Sequence, residues 1–257
     1  MLNQLLTIDG FAYLLVFSRV GSTIMLMPGI GEAYIPTRIR LLFAILVTAI
    51  MTPLLTALLP AIPPVFAGVL VLIAGEVLIG VYIGMIARIL VAGLATAGTI
   101  IAFLTGFANA LLFNPALQDQ GSITAVLLTL MGTLLLLITD MHHIMLMGVF
   151  DSYTLFAPGV APPIADLADL MARVVAGSFK IGVQIAAPFI VVALMFYISL
   201  GLLARLMPQL QVFFVGLPLQ IMYHAHIPID PLPAQKLCRL YHLEYQRSHH
   251  MFHPNQF

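Results

Sequence analysis

Charge is scarce in this sequence. Lys, Arg, Asp and Glu together make up 8% of its 257 residues, against about 25% in a soluble globular domain. A soluble fold of this size could not keep its surface wet with so few charges, so a soluble enzyme or binding domain is excluded. The formal net charge is zero, and no basic patch marks a nucleic-acid partner. Cys238 is the single cysteine. It can form neither an internal disulfide nor a zinc site of two or more cysteines, so cysteine usage does not report a compartment. No Lys or Arg precedes the first apolar run, and the first basic residue, Arg19, lies inside that run. The start therefore does not read as a cleaved signal peptide.

Apolar residues are abundant: 61% of the chain, with a mean hydropathy of +1.09. They fall in long runs parted by short polar links, the pattern of membrane helices. The runs are Phe11 to Met27, closed by Pro28, and Ile39 to Leu59, interrupted by Pro53. A third starts near Val65 and passes Ala95, a fourth covers Ile123 to Thr139, and a fifth covers Val174 to Leu206 with Pro188 in its middle. The expected fold class is an all-α integral membrane protein of long kinked helices arranged as helical hairpins, since proline inside a span breaks a backbone bond and bends it. Polar loops are expected over Phe103 to Ser122, with an apolar tip, and over Asp151 to Asp169. Val212 to Met222 is too short to span alone. From Tyr223 onward the sequence is polar and holds six of the eight histidines, so this tail is expected outside the bilayer and poorly ordered. Arg38 and Arg40 after the first run, with Lys236, Arg239 and Arg247 in the tail, place both segments on the cytoplasmic side by the positive-inside rule.

A few residues stand out within the runs. Arg19 sits mid-run, where an arginine costs about 2.5–3.5 kcal/mol on insertion scales. It faces protein as part of an ion pair or carbonyl contact, or it lines an aqueous path; the first reading is preferred. Glu76, Gly80, Gly84 and Arg88 follow at four-residue steps and make one winding stripe on a helix. Gly80 and Gly84 form a small-xxx-small pair that lets another helix approach closely. The stripe is expected to pack against a helix, ahead of a proton-carrying role for Glu76. Asp140 with His142 and His143 invites a metal reading. Zincin ligands, however, need two histidines at i and i+4 around a glutamate, and adjacent histidines point about 100° apart on a helix. No metal, cofactor or catalytic residue is therefore assigned, and the chain is not expected to be an enzyme.

The order of four motifs resembles the flagellar biosynthetic protein FliR family of the type III export apparatus, over about Phe11 to Ile221. They are Phe17-Ser-Arg19-Val-Gly21 leading to Pro28-Gly29, Pro36 and Arg38; Gly75-Glu76-Val-Leu-Ile-Gly80 with Gly84; His142-His143 followed by Asp151-Ser152-Tyr153 and Pro158-Gly159; and Gly201-Leu-Leu-Ala-Arg205-Leu-Met-Pro208-Gln209 through Val212-Phe213 to Gly216-Leu217-Pro218-Leu219. The last is the most specific. The resemblance implies a subunit of the export gate in the bacterial cytoplasmic membrane, at the flagellar basal body. Its implied partners are FliP-like and FliQ-like gate subunits, other apparatus proteins such as FlhB-like and FlhA-like ones, membrane lipid, and the unfolded substrates that pass. It also implies a channel plug in the segment Gly106 to Gly121, with Phe107, Leu111, Leu112 and Phe113 as the occluding side chains. Apolar rings in a narrow pore exclude ions by dewetting. Arg19, Glu76, Gly80, Gly84, Arg88, Arg205 and Pro208 are then expected in helix–helix or partner packing.

The chain departs from the family pattern at Gln211 and Gln220, where Asn and Lys are usual, and abruptly after Ile221. Family members continue there into a further hydrophobic helix. Residues 1–222 therefore read as the export-gate membrane domain, and 223–257 as a departing tail left by a frameshift or disrupted gene, a natural variant tail being the alternative. The expected consequence is impaired export. A secondary transporter of a small solute is the competing function, favoured by broken helices and an intramembrane glutamate and opposed by the lack of an internal repeat. An intramembrane protease ranks last, since no nucleophile or ligand pattern supports it.

Overall fold

The computed structural model describes residues 2–106, 122–160, 162–206 and 222, with side chains from residue 10 onward. These residues form six helices, one 3-10 turn and no strand. The helices are α1 (Leu2–Leu26), α2 (Thr37–Leu55), α3 (Phe66–Thr105), α4 (Ile123–Ile138), α5 (Met141–Leu155) and α6 (Ile164–Leu206). Three stretches are long and apolar enough to cross a membrane: Thr37–Leu58, Phe66–Thr105 and Ile164–Leu206. A fourth crossing results if α4 and α5, bent by 74° at their break, count as one span. The chain is an all-α membrane protein. At 1.5 Å per residue, α3 and α6 each run roughly 60 Å, about twice a bilayer core.

Local chemistry sets the helix ends. Pro36, in an extended conformation, precedes α2, where a proline costs no helical hydrogen bond. Pro53 lies in the last turn of α2, which gives way to the 3-10 turn Thr56–Leu58. α3 closes on Gly106 at φ 80°, the left-handed residue that ends many helices. Helix α6 continues through Pro188.

Several bounds differ from the hydropathy reading: α1 begins at Leu2 rather than Phe11, and α3 keeps Phe103 to Thr105 helical where the loop is expected to begin. α5 keeps Asp151 to Leu155 helical, so the polar loop begins at Phe156, whose N–H still bonds the Ser152 carbonyl at 2.8 Å. α6 begins ten residues before its apolar run. Asp166 in its first turn complements the helix dipole, and Asp169 pairs with Arg173 one turn on. Hydropathy marks the apolar part of a helix and passes over a polar first turn.

The chain divides into two compact units. One takes the described residues within Met1–Ile89 and Leu136–Val174, the other those within Leu90–Leu135 and Val175–Leu240. In the first, Val16, Val20 and Ile24 of α1 meet Ala44 and Leu55 of α2 and Val149 and Tyr153 of α5 in a buried core. Tyr13 donates to the Ile45 carbonyl at 3.0 Å, tying α1 to α2. α2 buries only Ala44, Thr48 and Leu55. Its other face shows Ile39, Leu42, Leu46, Ile50 and Leu54, apolar residues suited to lipid or to a neighbouring helix. In the second unit α3 packs closely on α6 and α4 through glycine. A Cβ on Gly93 would stand 2.7 Å from the Ser178 carbonyl oxygen, and one on Gly182 would stand 2.8 Å from that of Gly93. A Cβ on Gly98 would collide with Ala125, and one on Gly132 with Leu94.

Candidate functional site

The most heavily bonded side chain among the described residues is Arg19. It is wholly buried, as is Glu76 at 1% exposure. The guanidinium holds the carboxylate by both oxygens: Nε donates to Oε2 at 2.6 Å and Nη2 to Oε1 at 3.0 Å. Nη2 also donates to the Phe156 carbonyl at 2.9 Å. Nη1 donates to the Ser152 carbonyl at 3.0 Å and to Ser152 Oγ at 3.2 Å. A guanidinium has five N–H donors, and each has an acceptor here. The Tyr153 ring lies under the charge, with Cζ 4.1 Å from its centroid, a cation–π contact.

The clamp joins α1, α3 and the last turn of α5. The final carbonyls of a helix lack intrahelical donors and carry its negative pole. α5 has no basic residue in its own last turn, and Arg19 supplies that charge from α1. A buried ion pair holds only if its geometry is good and its remaining donors are bonded; both conditions are met.

The glycine stripe brings α3 close enough for this contact. A Cβ on Gly80 would collide with Ser22 Oγ and the Arg19 carbonyl, and one on Gly84 would stand 2.8 Å from Leu26 Cβ. Thr23 Oγ1 lies 2.9 Å from the Arg19 carbonyl and 3.0 Å from that of Gly80, so its hydroxyl is shared across the seam. Arg19, Glu76, Gly80 and Gly84 thus meet in one seam. Arg88 is exposed on α3 and is engaged by no ion pair among the described residues. Arg205 is exposed in the last turn of α6, where a cation suits the helix dipole. Pro208 and the candidate plug residues Phe107, Leu111, Leu112 and Phe113 lie outside the described residues, as do Val212 to Ile221 and the tail from Tyr223. Ser152, Tyr153 and the Phe156 carbonyl were missed as partners of Arg19. Their one signal in the sequence is the Asp151-Ser152-Tyr153 stretch.

A second cluster sits at the break between α4 and α5. Asp140 is in the left-handed region at φ 57°, the one non-glycine residue at positive φ among those described. The His142 and His143 rings have centroids 4.2 Å apart at 39°. The sequence argument that adjacent histidines diverge does not hold at this corner, where the rings close on each other in the first turn of α5.

A segment between two close-packed stems completes the picture. α3 ends at Thr105, followed by Gly106, and α4 starts at Ile123, preceded by Ser122, whose Oγ accepts the Ala125 N–H at 3.4 Å, as a helix cap does. Gly98 of α3 stands against Ala125 of α4, so the chain leaves one stem at 106 and returns on its neighbour at 122.

These features define a class: a membrane protein of long helices, fastened by a buried charge clamp and close glycine seams, with no soluble domain among the described residues. The chain belongs to the family described as bacterial export proteins, family 1, which matches residues 11–227. It is 42% identical to the flagellar biosynthetic protein FliR of Caulobacter vibrioides over 207 residues, 80% of this chain and 82% of that one. It is 30% identical to the protein of the same name from Bacillus subtilis, covering 82% of each chain. A Yop proteins translocation protein T from Yersinia pestis is 29% identical over 59% of each chain.

Proposed function

We propose that this chain is a subunit of the type III protein export gate, embedded in the bacterial cytoplasmic membrane at the flagellar basal body. It helps to form and close the channel for unfolded flagellar export substrates. The observation that carries this reading is the 42% identity with a flagellar FliR along four-fifths of both chains. The flagellar assignment is favoured over an injectisome one because the Yop relative is more distant and overlaps less. Two features of the chain support a role in an assembly. α2 turns an apolar face outward, and α3 and α6 are each far longer than a single crossing needs. FliP-like and FliQ-like subunits are the expected neighbours, with FlhB-like and FlhA-like proteins as further partners.

Within the gate, the segment between Gly106 and Ser122 serves as the plug, through Phe107, Leu111, Leu112 and Phe113. Its support is that the helix before it and the helix after it lie against each other at Gly98 and Ala125, and its apolar sequence, which suits closure of a pore by dewetting. Residues 1–222 act as the gate domain. The tail 223–257 is polar in sequence where the family pattern has a last hydrophobic helix, and this departure weakens assembly or export.

One reconstitution tests the proposal with two readouts. The full chain is expressed with FliP-like and FliQ-like proteins of the same source, and a partner is pulled down. Recovery of the chain in a stable large complex is the expected result; partners that assemble without it, and without a version carrying a family-like last helix, would overturn the gate reading. The complex in planar bilayers is then compared with one lacking 107–121. Ion leak through the closed gate should rise on deletion, and unchanged conductance would remove the plug assignment alone.

A further inference from the structure

We propose that Asp140, His142 and His143 form a binding site for a divalent transition-metal ion of the zinc class at the break between α4 and α5. One oxygen of Asp140 and one nitrogen of each histidine lie within 4.8 Å of one another. Around a tetrahedral ion with bonds of about 2.0–2.1 Å, ligand atoms stand roughly 3.3–3.5 Å apart. The gap is within reach of side-chain rotation, because Asp140 and His143 are 77% and 70% exposed and free to turn. His143 Nδ1 already stands 3.6 Å from Asp140 Oδ1.

Three independent observations converge on this corner. His142 Nδ1 is buried and has no hydrogen-bond partner. The ring is half-buried, but a ring nitrogen shut off from water and left without a partner is costly. A metal ion bound at Nδ1 would relieve that cost. Asp140 occupies the left-handed region without being glycine, a conformation that persists where its surroundings repay it. The two imidazoles have centroids 4.2 Å apart with their planes tilted by 39°, so both rings stand at the same corner rather than apart.

The donor set selects the ion. Two imidazole nitrogens and one carboxylate oxygen suit zinc, cobalt, nickel or copper, whereas magnesium and calcium take oxygen ligands. A helix N-terminus alone repels a cation, and the Asp140 carboxylate supplies the opposing charge. Three protein ligands on an exposed corner leave room for water in the remaining positions. The ion would link the corner residue to the first turn of α5 and stiffen the bend between the two helices.

The test uses the full chain, metal-stripped in detergent micelles and titrated with cobalt, whose visible bands report coordination. The tail histidines are silenced first, by replacing His224, His226, His242, His249, His250 and His253 with glutamine. That variant should keep one tight cobalt equivalent. Adding His143→Gln, at an exposed site that cannot disturb packing, should abolish it, as should His142→Gln. Asp140→Asn tolerates the same backbone conformation and should weaken cobalt by about tenfold or more, a loss typical of impaired metal shells. No cobalt binding in the tail variant, or binding that survives loss of both corner histidines, would overturn the site.

Discussion

Along α3, the residues up to Ile89 and those from Leu90 onward meet their neighbours through different chemistry. The first stretch approaches α1 over Gly80 and Gly84, and the contact carries a bidentate ion pair, a shared threonine hydroxyl and two borrowed carbonyls of α5. The later stretch approaches α6 and α4 over Gly93 and Gly98 with backbone against backbone and no charge. Glycine fixes how near two helices lie. It does not fix which residue sits opposite which, since a smooth seam can slide by a turn. Directional bonds do fix that, because five guanidinium donors find five acceptors at one register only. The difference suggests that α1, α3 and α5 are set in register by Arg19, while the later helices are set in distance by glycine.

The largest effect should come from unpairing the clamp. Glu76→Leu leaves a guanidinium buried without its counter-ion, and removing one partner of such a pair costs about 3–5 kcal/mol. Arg19→Met should cost less, because an orphaned carboxyl can take up a proton whereas a guanidinium cannot shed one. The double variant should recover part of the loss but not all, as the Ser152 and Phe156 carbonyls lose the bonds that Arg19 gives them. The chain has no tryptophan, so unfolding is followed by far-UV circular dichroism in mixed micelles of rising SDS content. If the double variant is no more stable than Glu76→Leu, the register argument fails.

How much of this was legible beforehand depends on the interaction. The membrane class, the hydrophobic stretches and the glycine stripe follow from composition and period alone. Arg19 and Glu76 each stood out as a charge in an apolar run. Their pairing did not, because 57 residues separate them and nothing in local spacing links them. Ser152 and Phe156 were out of reach for a further reason: they bind Arg19 mainly by backbone carbonyls, which every residue has. The polar starts of α6 and the polar end of α5 were read as loop, since hydropathy weighs side chains and a helix terminus is a backbone event. The nearness of the His142 and His143 rings at the Asp140 corner was not legible, because the 100° rule for neighbours ignores what rotamers do at a helix start.

The glycine seam can be broken separately. Gly93→Val places branched carbon where a Cβ would already stand 2.7 Å from the Ser178 carbonyl oxygen. Backbone on both sides cannot yield as a side-chain tip would, so α3 and α6 must part, at about 1–3 kcal/mol for overpacking. The clamp should be untouched by this change. Combined with Glu76→Leu, the two losses should add, as they do for sites without shared partners. Strong non-additivity in the same SDS titration would mean that the seams act as one, and the comparison would have to be abandoned.

The smallest effect concerns a glycine that closes neither seam. Gly75 precedes Glu76 in the interior of α3, yet a Cβ added there meets no atom within 4 Å. Glycine in a helix interior costs about 0.5–1 kcal/mol relative to alanine through backbone entropy. With no neighbour to clash, Gly75→Ala should stabilise the isolated chain by about that amount. The same substitution is then carried into the complex with FliP-like and FliQ-like subunits. If the gain persists there, Gly75 is a residue with no packing role in either setting. If the isolated chain gains but the complex is recovered in lower yield, a partner helix lies against this position, and the small-residue face of α3 continues beyond the seam inside the chain into one between subunits. A loss in the isolated chain would contradict the open space at this position and, with it, the division of α3 glycines into those that touch and those that do not.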